Sequence, residues 1–256
     1  MTLFSLSGKR ALVTGGTRGI GAACSVLLAR AGADVCVGYR NRHADAAKVR
    51  EQLTALGVKS ASLSADLGTA AGSDALVAHT VKEFGGIDIL IHSAGIWPAD
   101  EAAVAEMTDE RWARTMRENL DATFFIARAA VRAMLKQGSG GRIVLIDSTA
   151  GQRGEPMHAD YAASKGAVIS FVKSMAVEVA SAGITVNAIA PGWVDTEMCE
   201  LPFRDGGKER IAKGIPVGRI ASPEDIAFPT VSLCFDGARH VTGEIVNVNG
   251  GAVLCG

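Results

Sequence analysis

The chain is poor in aromatic residues, has no long apolar run and carries no excess of charge of either sign. Aromatics make up 5% of its 256 residues, and 26 Lys and Arg face 27 Asp and Glu, a net charge of -1. A general nucleic-acid or polyanion binder carries a basic excess, so the balance argues against that class while leaving room for a local basic pocket. No apolar stretch approaches the ~18 residues of a membrane span. Residues 1–10 lack the apolar segment of a secretory signal. The five cysteines, Cys24, Cys36, Cys199, Cys234 and Cys255, form no C-x-x-C pair and none lies near a His at metal-ligand spacing. Odd in number and scattered, they read as reduced thiols in a cytoplasmic protein without a metal site.

What is abundant is glycine, 30 residues, well above an ordinary usage of roughly 7%. Tight turns and close backbone approaches follow. Short runs rich in Val, Ile and Leu alternate with longer helical patterns. The strand candidates are 10–14, 34–39, 59–65, 87–91, 142–146, 184–190 and 244–248. Helical patterns occupy 19–31, 44–56, 73–84, 109–137 and 161–182. Seven strands in alternation with helices predict an α/β, doubly wound parallel sheet with helices on both faces, in one domain spanning 1–256. The segment 196–221 fits least well. It holds Pro202, Gly206-Gly207, Gly214 and Pro216 and reads as a mobile excursion over a cleft.

The first strand runs into Thr14-Gly15-Gly16-Thr17-Arg18-Gly19-Ile20-Gly21. Glycines 15, 19 and 21 let backbone N–H groups approach a pyrophosphate, and the helix that follows turns its positive end to the same anion. The end of the second strand selects the cofactor. An acidic residue there would bind the adenosine ribose hydroxyls and favour NAD. The chain instead has Tyr39-Arg40-Asn41. Arg40 and Arg18 can flank a 2′-phosphate with charge-assisted bonds, so the pair points to NADPH/NADP+.

Tyr161 and Lys165 stand four residues apart, on one face of a helix. A neighbouring cation favours a phenolate, so the pair suits proton transfer at a carbonyl or alcohol oxygen. Ser148 follows a strand, thirteen residues before Tyr161, at the crevice end of a parallel sheet. Asn119 lies inside the long helical pattern and, read alone, is an exposed surface amide.

Taken in order, these motifs resemble the short-chain dehydrogenases/reductases. The likeness runs from Gly8 to Gly251 and includes the TGGTRGIG turn, Asp66, His92-Ser93-Ala94-Gly95, Asn119, Ser148, Tyr161, Lys165 and Pro191-Gly192. It implies a three-layer Rossmann fold, a nicotinamide cofactor and a homotetramer with its interfaces on the helices 109–137 and 161–182. It also implies roles. Tyr161 is the acid/base, Lys165 lowers its pKa and holds the nicotinamide ribose, Ser148 positions the carbonyl, and Asn119 holds a relay water. Asp66 and Leu67 would face the adenine. Ser93, Ala94, Gly95, Pro191, Gly192, Val194 and Thr196 would line the cofactor, with Ile189 and Val194 bracketing the nicotinamide. Two positions depart from the family's pattern. His92 stands where the family has Asn, so it supplies other bonds or leaves a gap. Asp147 stands where many relatives have a small neutral residue, either turned away and hydrogen-bonded or sensing the site.

Within the family the runs ITVNAIAPGWVDTEM, IPVGR and EIVNVNGGAV are similar to those of the 3-oxoacyl-acyl-carrier-protein reductases. That points to a β-keto compound or 3-oxoacyl thioester as small-molecule substrate. The alternative is an alcohol or sugar dehydrogenase working oxidatively. The arginines that grip an acidic carrier in such reductases best match Ser139 and Val177 here, which speaks against a carrier-bound substrate. Trp97, Met157 and Trp193 are the expected apolar contacts, beside Met198, Phe203, Gln152, Arg153, Glu155 and His158.

Overall fold

Val- and Ile-rich runs become strands here because β-branched side chains pack well on a pleated surface covered on both faces. The computed structural model describes residues 4–254; Cys255 lies outside them. In chain order the elements are β1 (Arg10–Thr14), α1 (Gly19–Arg30), β2 (Asp34–Tyr39), α2 (His43–Ala55), β3 (Ser60–Ser64), α3 (Ala70–Phe84) and β4 (Ile89–His92). Then come α4 (Asp109–Met116), α5 (Ala122–Gln137), β5 (Gly141–Ile146), α6 (Thr149–Arg153), α7 (Ala159–Val179), β6 (Ile184–Pro191), α8 (Gly207–Lys213), α9 (Pro223–Ser232) and β7 (Ile245–Val248). The seven strands pair in the order β3-β2-β1-β4-β5-β6-β7, every pair parallel. The doubly wound sheet expected from the sequence is the one observed.

Alternation along the strands divides the core into two layers. Ala11 and Val13 of β1 pack with Cys24 and Leu28 of α1 and Ile226 of α9 on one face. Leu12 turns to the other face, against Leu76, Ile126, Val168 and Val172 of α3, α5 and α7. Between β1 and β4 the strand order reverses, and the crevice at the carboxyl ends of such strands is where α/β sheets take ligands.

The helical pattern 109–137 is not one regular helix. Arg117–Asp121 forms a turn of π-helix between α4 and α5, and Asn119 within it is buried rather than exposed. A wider turn shifts the facing of every residue after it, which a 3.6-residue period does not reveal. The helix expected from Tyr161 begins at Ala159, and its last turn, Ala180–Ala182, is 3₁₀.

The excursion 196–221 leaves the sheet and returns to it at one point. Asp195 N–H donates to the Ala221 carbonyl at 2.8 Å, and Ala221 N–H donates to Trp193 O at 3.1 Å. Between these stitches lie a 3₁₀ turn, Glu197–Cys199, and the short helix α8.

The start of α7 is anchored by a buried charge. Asp160 is fully buried and accepts from Thr115 Oγ1 at 2.7 Å and from Arg111 Nε at 3.1 Å, both on α4. These bonds hold its carboxyl below the ordinary range against the opposing effect of burial. Asp160 is the residue before Tyr161, so the ion pair fixes the position of the phenol. Removing one partner of such a pair strands the other without compensation. Arg111→Ala is therefore expected to lower stability by about 3 kcal/mol in urea denaturation; a loss below about 1 kcal/mol would contradict the anchoring role.

Candidate active site

The turn after β1 is built for close backbone approach. Gly15 has φ +62°, and a Cβ on it would stand 2.9 Å from the backbone nitrogen of Ala94. A Cβ on Gly21 would lie 2.3 Å from the Gly15 carbonyl oxygen. Helices α3, α4, α6 and α9 are capped by the side chains of Thr69, Thr108, Ser148 and Ser222. Helix α1 has no side-chain cap: Arg18 precedes it in extended conformation, its guanidinium directed elsewhere. Its first N–H groups thus face the cleft uncapped, the donor set a pyrophosphate requires. The residues present fit a dinucleotide.

One cleft of about 740 Å³ gathers most of the expected site. Gly15, Thr17, Arg18, Gly19 and Ile20 line it at the Gly turn, and Tyr39, Arg40, Asn41, Asp66 and Leu67 beyond β2 and β3. Ser93, Ala94, Gly95, Trp97, Ser148, Tyr161, Lys165, Pro191, Gly192, Trp193, Val194 and Thr196 complete it. Gly21 and Asn119 lie behind this lining. Two expected contacts are corrected. Met157 lies outside the lining and 40% exposed, because its backbone turns to φ +67° and carries the side chain away. Ile189 is fully buried in the core, on the inward side of β6.

The arginines at the adenosine end are held by carboxylates. Arg40 donates to Glu118 at 2.6 Å and lies 3.4 Å from Asp66. Arg18 pairs with Glu197, and Arg42 donates to the same Glu197 oxygen at 2.8 Å. Arg42, Glu118 and Glu197 were not singled out from the sequence. Arg42 had a signal, lying two residues beyond Arg40; the acidic partners come from distant segments and had none.

At the other end, Tyr161 and Lys165 are both buried. The Lys165 ammonium donates to the Ile146 carbonyl at 2.8 Å and lies 5.9 Å from the centre of the Tyr161 ring. Burial lowers its pKa. Tyr161 is hydrogen-bonded to Ser148, which favours the phenolate, but burial outweighs that bond and raises the phenol well above its ordinary value. Asp147, Glu155 and Cys199 add to the rise. The net direction in the free protein is upward, toward the protonated phenol. Asn119 spends its amide on structure. Its Oδ1 accepts from Ile96 N–H at 2.8 Å, and its Nδ2 donates to Ile96 O at 3.0 Å and Ser164 Oγ at 3.1 Å. It pins the loop after β4 to α7.

The outer wall is aromatic. Trp97 stacks on His158 at 4.5 Å and meets Trp193 edge-on at 6.2 Å. Its indole N–H donates to Glu155 at 3.2 Å. Met198, Arg153 and Glu155 reach the cleft. Phe203 and His158 support the tryptophans from behind, and Gln152 is bonded to Asn247 at 2.8 Å.

His92 supplies different bonds from an Asn. Its Nδ1 lies 2.7 Å from Thr14 Oγ1, which accepts from the N–H groups of Ser93 and Ala94 at 3.2 and 3.3 Å. With both acceptor positions of Thr14 used, its hydroxyl donates to Nδ1, and the proton of the ring sits on Nε2. That Nε2 is buried without a hydrogen-bond partner.

Comparison with known proteins agrees with this geometry. Residues 15–253 match the family model described as Enoyl-(Acyl carrier protein) reductase. The chain is 40% identical to Versicolorin reductase 1 of Aspergillus parasiticus over 96% of its own length and 97% of the relative's. It is 37% identical to a 3-oxoacyl-[acyl-carrier-protein] reductase of Vibrio cholerae, covering 98% and 99%. Among solved structures, a dehydrogenase/reductase from Sinorhizobium meliloti superposes with a TM-score of 0.92 at 36% identity, covering 99% and 98%.

Burial, helped by the charge of Lys165, depresses His92 from 6.5 to about 3. A group whose folded pKa is depressed contributes stability above its unfolded pKa and loses it as pH falls. Acidification from 6.5 toward 3 is thus expected to cost stability that His92→Asn does not lose. Thermal melts at about pH 7 and about pH 5 check this. A smaller acid-induced fall in Tm for the variant is expected; equal falls would contradict it.

Proposed function

The chain belongs to the short-chain dehydrogenase/reductase family, and on that premise we propose that it is an NADPH-dependent reductase of a ketone, with a 3-oxoacyl thioester or related β-keto compound as substrate. The observation that carries the reading is that the Ser148 and Tyr161 side chains line one cleft together with Lys165, the phenol and the ammonium both buried. Two neighbouring hydroxyls suit a carbonyl oxygen, and a protonated phenol is the form that a reduction consumes.

Uncapped α1 and the Gly turn would hold the pyrophosphate, and Lys165 the nicotinamide ribose. NADPH, when bound, supplies the hydride. Ser148 holds the substrate oxygen, and Tyr161 gives it a proton as negative charge develops there. Lys165 then stabilises the phenolate that remains. The aromatic wall of Trp97 and Trp193 excludes water from this point. NADPH over NADH is supported by Arg18, Arg40 and Arg42 around one end of the cleft and by the absence of an acidic residue at the end of β2.

A small thioester suits the site better than a carrier-bound one. Ser139 is bonded to Gln137, Val177 is an exposed apolar residue, and Arg128 stacks over Phe124 at 4.7 Å instead of extending toward a partner. Exposed Phe124, Leu135 and Val177 on α5 and α7 are the face that a homotetramer would cover. We read the excursion 196–221 as a lid hinged at its stitched ends, and the protein as cytoplasmic; among the described residues no helix is long and apolar enough to cross a membrane.

Tyr161→Phe removes the proton donor and leaves the cofactor cradle intact. Turnover with a 3-oxoacyl thioester should fall by about 1,000-fold while NADPH affinity, read by fluorescence, stays within about twofold. Retained turnover would overturn the assignment.

A further inference from the structure

We propose that Asp147 is a positioning residue for the proton transfer at Tyr161, acting through Lys165: its carboxylate offsets the lysine's charge and keeps the phenol a proton donor. The inference rests on the ketoreductase reading above.

Asp147 is the first residue after β5, and its N–H donates to the Ile189 carbonyl on β6 at 2.7 Å. The residue before it supplies the carbonyl that holds Lys165 Nζ, and the residue after it is the hydrogen-bond partner of Tyr161. It lines the cleft, yet is 3% exposed. Neither carboxyl oxygen receives a hydrogen bond of good geometry. The Ser148 N–H lies near enough to ease the charge only in part. A carboxylate so placed is costly unless a cation faces it.

The groups around it are few. From α7 come the Lys165 ammonium and the Tyr161 phenol; from the start of α6 comes Ser148, and from β6 the Ile189 carbonyl. His92 on β4 is also within reach of the lysine's charge and is kept neutral by its burial. Burial, opposed by Lys165, pushes the carboxyl up to about 7. Near neutral pH Asp147 is thus poised between its charged and neutral forms. Ionised, it cancels part of the lysine's field at the phenol and repels the phenolate. Protonated, or replaced by a neutral residue, it leaves that field unopposed, and Tyr161 gives up its proton more readily.

Two readouts test this. In the cofactor-free protein, pH-difference infrared spectra should show a carboxylic-acid band that titrates near neutral pH and is missing in Asp147→Asn. In the holoenzyme, the acidic limb of the pH profile for alcohol oxidation, which reports ionisation of Tyr161, should move down by about one pH unit or more in Asp147→Asn. Asp147→Ser removes the charge with a smaller side chain and should move the limb the same way. A missing band, or a present band with an unmoved limb, overturns the proposal. A titrating band in a protein that turns over no alcohol or ketone overturns the ketoreductase reading instead, and with it the role of Asp147.

Discussion

The hydroxyl of Thr14 joins the two halves of the sheet at the point where everything else must meet. It stands at the end of β1, hydrogen-bonded to His92 at the end of β4, and accepts the N–H groups of Ser93 and Ala94. Strand order reverses between these two strands. The crevice there receives the Gly turn from one side and the His92–Gly95 loop from the other. Gly15 is in van der Waals reach of that loop only because it has no Cβ. Asn119 clamps the same loop at Ile96 and ties it to α7 through Ser164. The Gly turn and the helix that carries Tyr161 are therefore coupled through one chain of polar contacts.

Within this frame the chemistry is governed by burial more than by pairing. The Tyr161 phenol and the Lys165 ammonium are both moved toward their neutral forms by the surrounding protein, in opposite directions on the pH scale. Lys165 donates to the Ile146 carbonyl, and Asp147 opposes part of the effect of burial. At the adenosine end the reverse holds. Arg18, Arg40 and Arg42 are about half exposed and each faces a carboxylate. Such pairs contribute little to stability and exchange readily for a stronger anion. The cleft thus has a dry end at Tyr161 and Lys165 and a wet, charge-rich end at the arginines.

Local patterns were legible in the sequence. The Gly turn follows from its place between a strand and a helix, and Tyr161 and Lys165 from a helical spacing of four. The parallel sheet follows from continuous apolar runs such as 87–91 alternating with helical patterns. Long-range partners were not legible. Glu197 reaches Arg18 and Arg42 across the cleft from the excursion, and Arg111 finds Asp160 from another helix; no period in either segment signals this. The helical period alone leaves Asn119 an exposed amide, because a π-turn breaks that period; only the family resemblance places it at the site. Met157 was misplaced in the pocket because a left-handed backbone conformation, rare for such a residue, redirects its side chain.

Cofactor choice and carbonyl chemistry meet in one assay: oxidation of NADPH by a short 3-oxoacyl thioester, run beside NADH. Saturable turnover with NADPH, at least about tenfold more efficient than with NADH, is the expected result, since three guanidiniums favour a 2′-phosphate that NADH lacks. Equal or better turnover with NADH, or tight NADPH binding with no reduction of any β-keto compound, would contradict the account.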